Sequence, residues 1–336
     1  MAAPLENDFA AAPVAKVTLE YGDSLTKYHY WPQPTVILSD GAYGISGFPG
    51  DLDSPAKLAE WYEPHIKVWS EAATLETTLW FWNTEVGWAT VHPILERYGW
   101  VYRGCNIWNK GIGHIAGNAN TRTLRRFPAV TEICAHYVRR SEVKLSDGVQ
   151  SMKHWLRSEW KRTGLPLYLT NVACGVANAA TRKYFTDCHL WYFPPKDMFE
   201  KFSEYANNHG DPSGRPYFSL DGIEPISSEK WERMRAIFRL PIGKTNVWDI
   251  PALRDKERLK TSNKSIHLNQ KPIEIIKMLI EVSSDNKDVV WEPFGGLATG
   301  AICSLMLERS CFSAEIDYAV YEIALKRLEG FQSRLL

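Results

Sequence analysis

Near the C-terminus, two short apolar segments are separated by a glycine-bearing loop and a segment of helical character. The first apolar segment, DVVWE at 288–292, leads into the loop PFGGLATG, and the second, CFSAEID at 311–317, begins about 20 residues later. Continuous apolar runs of this length are typical of strands that are buried on both faces, as in parallel sheets. The chain is therefore predicted to form a layered α/β fold.

The same alternation of short apolar runs and longer amphipathic segments extends through the first half of the chain. It predicts strands at 35–38, 78–82, 100–108, 287–291 and 311–316, and helices at 56–73, 91–98, 298–309, 319–331 and from about Pro272 onward. Residues 126–138 show mixed periodicity, so no element is assigned there. The spacing assigns four tryptophans to the core: Trp61, Trp69, Trp80 and Trp82.

The loop between the two C-terminal strands has the composition of a nucleotide-type site. Small residues let the backbone approach a ligand while helix N–H groups point at it, and Glu315 ends the next strand where an acid can bind ribose hydroxyls. The loop lacks both the G-x-G-x-x-G spacing of dinucleotide sites and the G-x-x-x-x-G-K-[ST] spacing of ATP sites. A cofactor without phosphates, such as S-adenosylmethionine, fits this pattern, and a tight turn without a ligand is the alternative.

The composition of the chain and the distribution of its charges restrict the kinds of partner it can bind and its expected location in the cell. The formal net charge is zero, but residues 1–100 carry 5 Lys/Arg against 13 Asp/Glu, and residues 101–190 carry 14 against 5. This split favours one face that binds a polyanion, with a solvated basic surface as the alternative. The six cysteines lack zinc-ligand spacing, so no metal is expected. Neither a signal sequence nor a membrane-length apolar stretch is evident, so a cytoplasmic location and no membrane partner are expected.

Several elements occur in a fixed order: YGDSL at 21–25, DGAY at 40–43, NIWNKG at 106–111, RRFPAVTEICAHYVR at 125–139, HLNQKPIEIIKMLIEVSS at 267–284, EPFGGLATG at 292–300 and SAEID at 313–317. In this order the chain resembles the DNA amino-methyltransferases in their permuted, or beta-class, arrangement, where the catalytic motif precedes the cofactor motif. The resemblance implies a three-layer Rossmann-like methyltransferase fold with a mainly helical insertion, and S-adenosylmethionine as the cofactor.

The resemblance also implies roles for the residues that match the family motifs. The catalytic tetrad is Asp40, Gly41, Ala42 and Tyr43: the Asp40 carboxylate and the Gly41 carbonyl would accept hydrogen bonds from the base amine, and Tyr43 would stack on the flipped base. The residues expected around the cofactor are Asp23, Asn269, Gln270, Lys271, Phe294, Gly295, Gly296, Ala298, Thr299 and Glu315.

The chain departs from the family's D-P-F-x-G-S-G-T loop, with Glu292 for Asp, Leu297 for Ser and Ala298 for Gly. It also departs in the tetrad, where Gly41-Ala42 replaces two prolines that stiffen the loop. Weaker pre-organisation of the loop, or stiffness supplied by packing from elsewhere, is expected. Aspartate at the first tetrad position favours adenine N6 as the target. Transfer to cytosine N4 is one alternative, and a catalytically silent DNA-binding homologue is another.

We expect residues 1–140 to form the catalytic half of the methyltransferase domain, 141–262 a target-recognition insertion, and 263–336 the cofactor-binding half. Within the insertion, LTNVACGVANAATRKYF fits a helix-turn-helix whose second helix presents Asn178, Thr181, Arg182 and Lys183 to the major groove, with a packed helical hairpin as the alternative. Arg122, Arg125 and Arg126 are expected to hold phosphates or the flipped strand, with unpaired surface charges as the alternative. The expected partner is double-stranded DNA, with a homodimer and a cognate restriction endonuclease system as further possibilities.

Overall fold

A central eight-stranded sheet organises the protein in the computed structural model, which describes residues 15–46, 51–115, 123–145, 148–253, 260–261, 264–265 and 270–333. The strands within these ranges are β1 (Val17–Tyr21), β2 (Val36–Ser39), β3 (Thr78–Asn83), β4 (Trp100–Asn109), β5 (Thr131–Arg139), β6 (Glu142–Leu145), β7 (Gly148–Ser151), β8 (Val247–Asp249), β9 (Lys260–Thr261), β10 (Lys264–Ser265), β11 (Val289–Glu292) and β12 (Ser310–Glu315).

The order of strands in this sheet is β1-β12-β11-β2-β3-β5-β4-β8. β5 runs antiparallel to both of its neighbours, and the other pairings are parallel. The two C-terminal strands, β11 and β12, lie between β1 and β2, so segments from opposite ends of the chain meet in the middle of the sheet. As a result, β2, β11 and β12 all end at one edge, which we call the carboxyl edge.

Helices cover both faces of the sheet. The helices are α1 (Leu58–Ala72), α2 (Glu85–Arg97), α3 (Met152–Arg162), α4 (Leu169–Cys174), α5 (Ala179–Lys183), α6 (Lys196–His209), α7 (Ser228–Arg233), α8 (Ile273–Ser283), α9 (Thr299–Met306) and α10 (Tyr318–Gln332). Side chains alternate between the faces along each strand. Val36 and Leu38 pack with α8, α9 and α10, whereas Ile37 packs with α1 and α2. Because of this alternation, the sheet and the helices on its two faces form three layers.

Most of the predicted elements are confirmed with small shifts of their ends. The helix predicted at 91–98 begins earlier, at Glu85, because the Thr84 hydroxyl caps its first turn by accepting the Gly87 N–H at 3.1 Å. Residues 126–138, which were left unassigned, contain β5. Four consecutive residues of β5, 132–135, are buried, so the strand lacks the alternation that identifies a half-exposed strand.

The middle of the chain builds a core of its own. The hairpin β6–β7 and helices α3 to α7 enclose buried residues that include Trp155, Trp160 and Trp231. At the centre of this core, the buried Glu159 binds Arg162 at 2.7 Å and Arg215 at 2.6 Å. β8 lies within the range predicted for the insertion but pairs with β4, so that part of 141–262 belongs to the main sheet.

None of the helices in the described part of the chain has the length and apolar character needed to cross a bilayer.

Arg233, at the end of α7, connects the core formed by β6, β7 and helices α3 to α7 with the main sheet. Its guanidinium donates to Glu76 at 2.6 Å, to Asp285 at 3.2 Å and to Asp288 at 2.8 Å. Glu76 lies before β3, and Asp285 and Asp288 lie between α8 and β11. Because these side chains are partly shielded from water, the three charge-assisted hydrogen bonds contribute more to stability than a single exposed ion pair does.

Replacing Arg233 with alanine should lower the free energy of unfolding by about 1–3 kcal/mol, because three acids lose a shared partner. Arg235→Ala is the matched control, since Arg235 pairs with Glu232 in its own segment, and it should cost less than about 1 kcal/mol. Urea unfolding of both variants measures the difference. Equal losses would mean that the three-acid contact does not connect the two cores energetically.

Candidate active site

A cavity of about 790 Å³ opens at the carboxyl edge of the sheet. It lies where β2, β11 and β12 end, the position at which open α/β sheets bind their ligands. α1 and α10 form its sides. The residues that line it include Asp23, Leu38, Asp40, Gly41, Ala42, Trp61, His65, Trp82, Gln270, Lys271, Phe294, Gly295, Gly296, Thr299, Glu315, Asp317 and Val320.

Most of the residues predicted from the motifs meet at this cavity. Among the predicted catalytic residues, Asp40, Gly41 and Ala42 line it, and Tyr43 does not. Among the predicted cofactor residues, Ala298 is fully buried behind the loop, and the rest of those described line the cavity. Asn269 and Arg122 lie outside the described residues.

A buried cluster of charges lies behind Asp40. The Lys271 ammonium donates to both Asp40 oxygens, at 2.7 and 2.8 Å, and binds Glu132 at 2.9 Å. Lys110 binds the other oxygen of Glu132 at 2.8 Å. Burial alone would lower the pKa of Lys271, but the two carboxylates outweigh it and raise the pKa. Burial would likewise raise the pKa of Glu132, which Lys271 and Lys110 instead lower.

Tyr43 belongs to this charged cluster, which corrects the prediction that it faces a base. Its ring is buried, and its hydroxyl lies 2.8 Å from Asp40, 3.1 Å from the Lys271 ammonium and in hydrogen-bond contact with Glu132. Burial, together with the two carboxylates, raises the pKa of Tyr43. The aromatic rings on the cavity wall include those of Phe294 and of Trp61, which the sequence pattern assigned to the core; Trp82 also borders the cavity, but its side chain is fully buried.

The tetrad loop is held rigidly although it lacks the two prolines. The Ala42 carbonyl accepts hydrogen bonds from Tyr62 at 3.1 Å and from Asn83 at 2.9 Å. One oxygen of Asp51 accepts the N–H groups of Tyr43 and Gly44, each at 2.8 Å. A side chain does not fit at position 41, where a Cβ would lie 2.7 Å from the Phe294 ring.

The loop after β11 is tied to the sheet by Glu292. This buried carboxylate accepts the N–H groups of Gly300 at 2.6 Å and Ala301 at 3.1 Å, and the Ser313 hydroxyl at 3.0 Å. Burial raises its pKa to about 7 despite these bonds. Ala298 occupies the left-handed region with φ 57° and ψ 39°, where the family pattern has glycine, at a cost on the order of 1 kcal/mol.

Acids crowd the rim of the cavity. Glu315 accepts the Gly296 N–H at 2.8 Å and the Asp317 N–H at 2.7 Å, one on each oxygen, and burial raises its pKa. Asp23 accepts the Leu25 N–H at 2.9 Å. Each carboxylate oxygen has two lone pairs, so these backbone contacts fix the acids and leave acceptor capacity toward the cavity.

The residues predicted to contact DNA fall into two groups. Arg125 and Arg126 are exposed on the connection between β4 and β5. In the proposed helix-turn-helix, α4 ends at Gly175 in the left-handed conformation and α5 follows, and Asn178, Arg182 and Lys183 are exposed.

Thr181 lies elsewhere than predicted. Its hydroxyl contacts Thr170 at 2.7 Å and Asn171 at 2.8 Å, so it fastens α5 to α4 instead of facing outward.

Sequence reasoning missed Glu132, Lys110, Trp61 and Asp317. Glu132 carried a usable signal, because a single acid inside the apolar run TEICA needs a buried partner. Asp317 follows directly after the ribose-type acid strand and caps α10 by accepting the Val320 N–H at 3.0 Å. Trp61 carried no such signal, since its helical spacing is equally consistent with a core position.

The raised pKa of Glu292 makes stability depend on pH. The folded state favours the protonated form of Glu292. Ionisation of this carboxyl therefore does not lower the free energy of unfolding below about pH 4.5, and it lowers it by its full amount above about pH 7. Between pH 5 and 8 the stability of the wild type relative to Glu292→Gln should therefore fall, by up to about 3 kcal/mol. Denaturant unfolding across this range measures it. Glu274→Gln, at an exposed position of α8, is the control. A constant difference between wild type and Glu292→Gln would contradict the assignment.

Comparison with known proteins gives a consistent result. The family described as DNA methylase matches residues 35–326. A type II methyltransferase, M.HindIII of Haemophilus influenzae, is 32% identical over 73 residues, which are 22% of this chain and 24% of that protein. M.ScaI of Streptomyces caespitosus is 28% identical over 159 residues, 46% and 47% of the two chains. These matches span less than half of the relatives' length.

Solved structures show the same fold. The crystal structure of the M1.HpyAVI–SAM complex aligns with a TM-score of 0.51 at 13% identity, covering 93% of this chain and 98% of that one. The cytosine-N4-specific PvuII DNA methyltransferase aligns with a TM-score of 0.50 at 9% identity, covering 96% and 93%. At these identities the likeness concerns the fold alone, and it confirms the predicted fold class.

Proposed function

The chain belongs to the DNA methylase family, and on that basis we propose that it transfers a methyl group from S-adenosylmethionine to adenine N6 in DNA. The observation that carries the proposal is the position of Asp40. Its carboxylate stands at the mouth of the cavity, beside the loop that follows β11, with its backbone fixed by the end of β2.

The cavity suits the cofactor in size and in chemistry. A volume of about 790 Å³ lies within the usual range for small-molecule sites, roughly 300–1,000 Å³. Glu315 and Asp23 offer acceptors for ribose and adenine groups, and Gly295 and Gly296 keep the loop close to the strand ends. When bound, S-adenosylmethionine supplies an electrophilic methyl group. Trp61 and Phe294, with ring centroids 5.2 Å apart, form an aromatic wall beside Asp40.

Asp40 makes the base amine nucleophilic. An exocyclic amine reacts poorly while its lone pair is delocalised into the ring, and acceptors on its two hydrogens draw the nitrogen toward tetrahedral geometry. Asp40 provides one acceptor. The Gly41 carbonyl provides the other, since no hydrogen bond to it occurs among the described residues. Lys271 donates to both Asp40 oxygens, and the Tyr43 hydroxyl lies 2.8 Å from Oδ1, so the remaining lone pair of Oδ2 is available to the amine.

Aspartate at the first tetrad position supports adenine over cytosine. The base must leave the duplex to reach Asp40, because a base stacked inside a duplex cannot enter the cavity that Asp40 lines. Trp61, which is partly exposed, is the tryptophan positioned to stack on it, in the role first assigned to Tyr43. Transfer to cytosine N4 uses the same geometry, so the methylated nucleoside itself must distinguish the two.

A catalytically silent DNA-binding protein is the second candidate. Two observations favour it: both Asp40 oxygens already bind Lys271, and Gly41-Ala42 replaces the prolines. The rigidity of the loop argues for the enzyme, because Tyr62, Asn83 and Asp51 supply the stiffness that the prolines would give.

Asp40→Ala should reduce methyl transfer to DNA at least 100-fold and change cofactor affinity little, because the carboxylate acts on the base amine. Transfer of labelled methyl is measured, the DNA is digested, and the nucleoside is identified by mass, with N6-methyl-2′-deoxyadenosine as the expected product. Cofactor affinity is measured by calorimetry.

Two further variants make this test decisive. Asp40→Asn keeps an oxygen for Lys271 and guards against loss of folding. Asp53→Ala removes an exposed carboxylate that pairs with Lys57 at 2.9 Å and should behave as wild type. Equal loss of cofactor binding and transfer in the Asp40 variants would contradict the role given to Asp40. No transfer by the wild type would favour the silent candidate.

We further propose that α4 and α5 read the target sequence. Replacing Arg182 and Lys183 together with alanine should weaken duplex binding, lower the magnitude of the salt slope by up to about 2, and relax the set of methylated sites. Binding is measured against salt concentration, and sites by sequencing of modified bases. The control is Lys57→Ala with Lys277→Ala, two lysines paired with neighbouring acids. Unchanged site choice and salt slope would exclude these two residues as DNA contacts.

A further inference from the structure

Phe127 projects into solvent, which is unusual for a large aromatic side chain. It is 96% exposed, whereas the other phenylalanines on the described part of the chain are at most about half exposed. No ring contact involves Phe127 among the described residues. Exposure of this degree gives no packing energy to the folded protein, so stability does not explain why a phenylalanine is present.

The position of Phe127 follows from the strand that it precedes. β5 is antiparallel to β3, so it begins at the carboxyl edge, where the cavity opens. The Lys110 N–H binds the Val130 carbonyl at 2.8 Å, and Glu132 contacts Lys271, which holds Asp40. Phe127 lies three positions before Val130, so their Cα atoms are at most about 11 Å apart. Phe127 therefore stands close to the mouth of the cavity.

The surroundings of Phe127 are basic. Arg125 and Arg126 precede it directly and are exposed on the same connection. Ile112, 76% exposed, lies on the β4 side of this connection. Positive charge next to an exposed apolar side chain fits a surface that meets phosphates and bases together, since the charges bind the backbone while the apolar group enters the stack.

When a base leaves the duplex, the gap that remains in the base stack favours the return of that base. Proteins that deform DNA insert apolar side chains, phenylalanine among them, between base steps. Resting on the function proposed above, we propose that Phe127 enters the base stack beside the target nucleotide and holds the gap open while the base occupies the cavity, with Arg125 and Arg126 on the flanking phosphates. Phe127 is thus a positioning residue, because it acts on the DNA and does not touch the reacting atoms.

Two DNA substrates distinguish a role of Phe127 in base extrusion from its other conceivable roles. One is a duplex containing the target sequence, and the other is the same duplex with an abasic site opposite the target base, where extrusion is easier. Phe127→Ala should lower kcat/KM on the intact duplex about 10- to 100-fold, and on the abasic duplex less than about 3-fold. Phe127→Trp should restore most of the activity on the intact duplex.

The control is Met306→Ala. Met306 is also an exposed apolar side chain, 43% exposed, but it ends α9 at the opposite edge of the sheet, so both substrates should react as with wild type. A second measurement replaces the target base with 2-aminopurine, whose fluorescence rises when it leaves the stack. The rise on binding should be smaller with Phe127→Ala than with wild type or Met306→Ala.

The outcomes are distinct. Methylation by the wild type with no defect in Phe127→Ala on the intact duplex overturns the proposal. So does an equal defect on both substrates, which would indicate a contact unrelated to extrusion, such as one with a second copy of the chain. A wild-type protein that methylates neither substrate overturns the proposed function itself, and the role of Phe127 with it.

Discussion

The ion pair between Lys271 and Asp40 connects two segments that are 231 residues apart in sequence. Lys271 precedes α8 near the C-terminus, Asp40 follows β2 near the N-terminus, and Glu132 lies in β5 between them. A buried ammonium is tolerated only where its partners are already in place. The cluster therefore depends on the strand order that puts β11 next to β2. In turn, it fixes the direction of the carboxylate on which the proposed chemistry depends.

Local sequence patterns predicted many of the strands and helices because these elements are marked by residues that lie close together in the chain. Apolar runs bounded by glycine or acids marked β2, β3, β11 and β12, and the motif order placed Asp40 and the loop after β11 at one site. β5 was missed because burial on both faces erases alternation. The side-chain direction of Tyr43 was missed because its identity does not specify its rotamer. That direction is set by Glu132 and Lys271, which are 89 and 228 residues away in the chain.

The departures from the family pattern are compensated by specific contacts. Gly41 leaves room for the rings of Phe294 and Tyr62, and the donors on the Ala42 carbonyl restrain the loop as prolines would. Ala298 takes a conformation that glycine adopts more easily, but its methyl group is fully buried, so packing offsets part of the backbone cost. In both places a residue that looks unfavourable in isolation is accommodated by its neighbours.

The separate core of the middle segment has an evolutionary consequence. Its buried residues are not shared with the clusters on the two faces of the sheet. Mutations that remodel the surface of α4 and α5 therefore need not disturb the packing that shapes the cavity. Under the proposed role of α4 and α5 in reading the target, such an architecture lets selection change which sequence is read while the chemistry stays constant, and it makes the segment a natural unit for exchange between relatives.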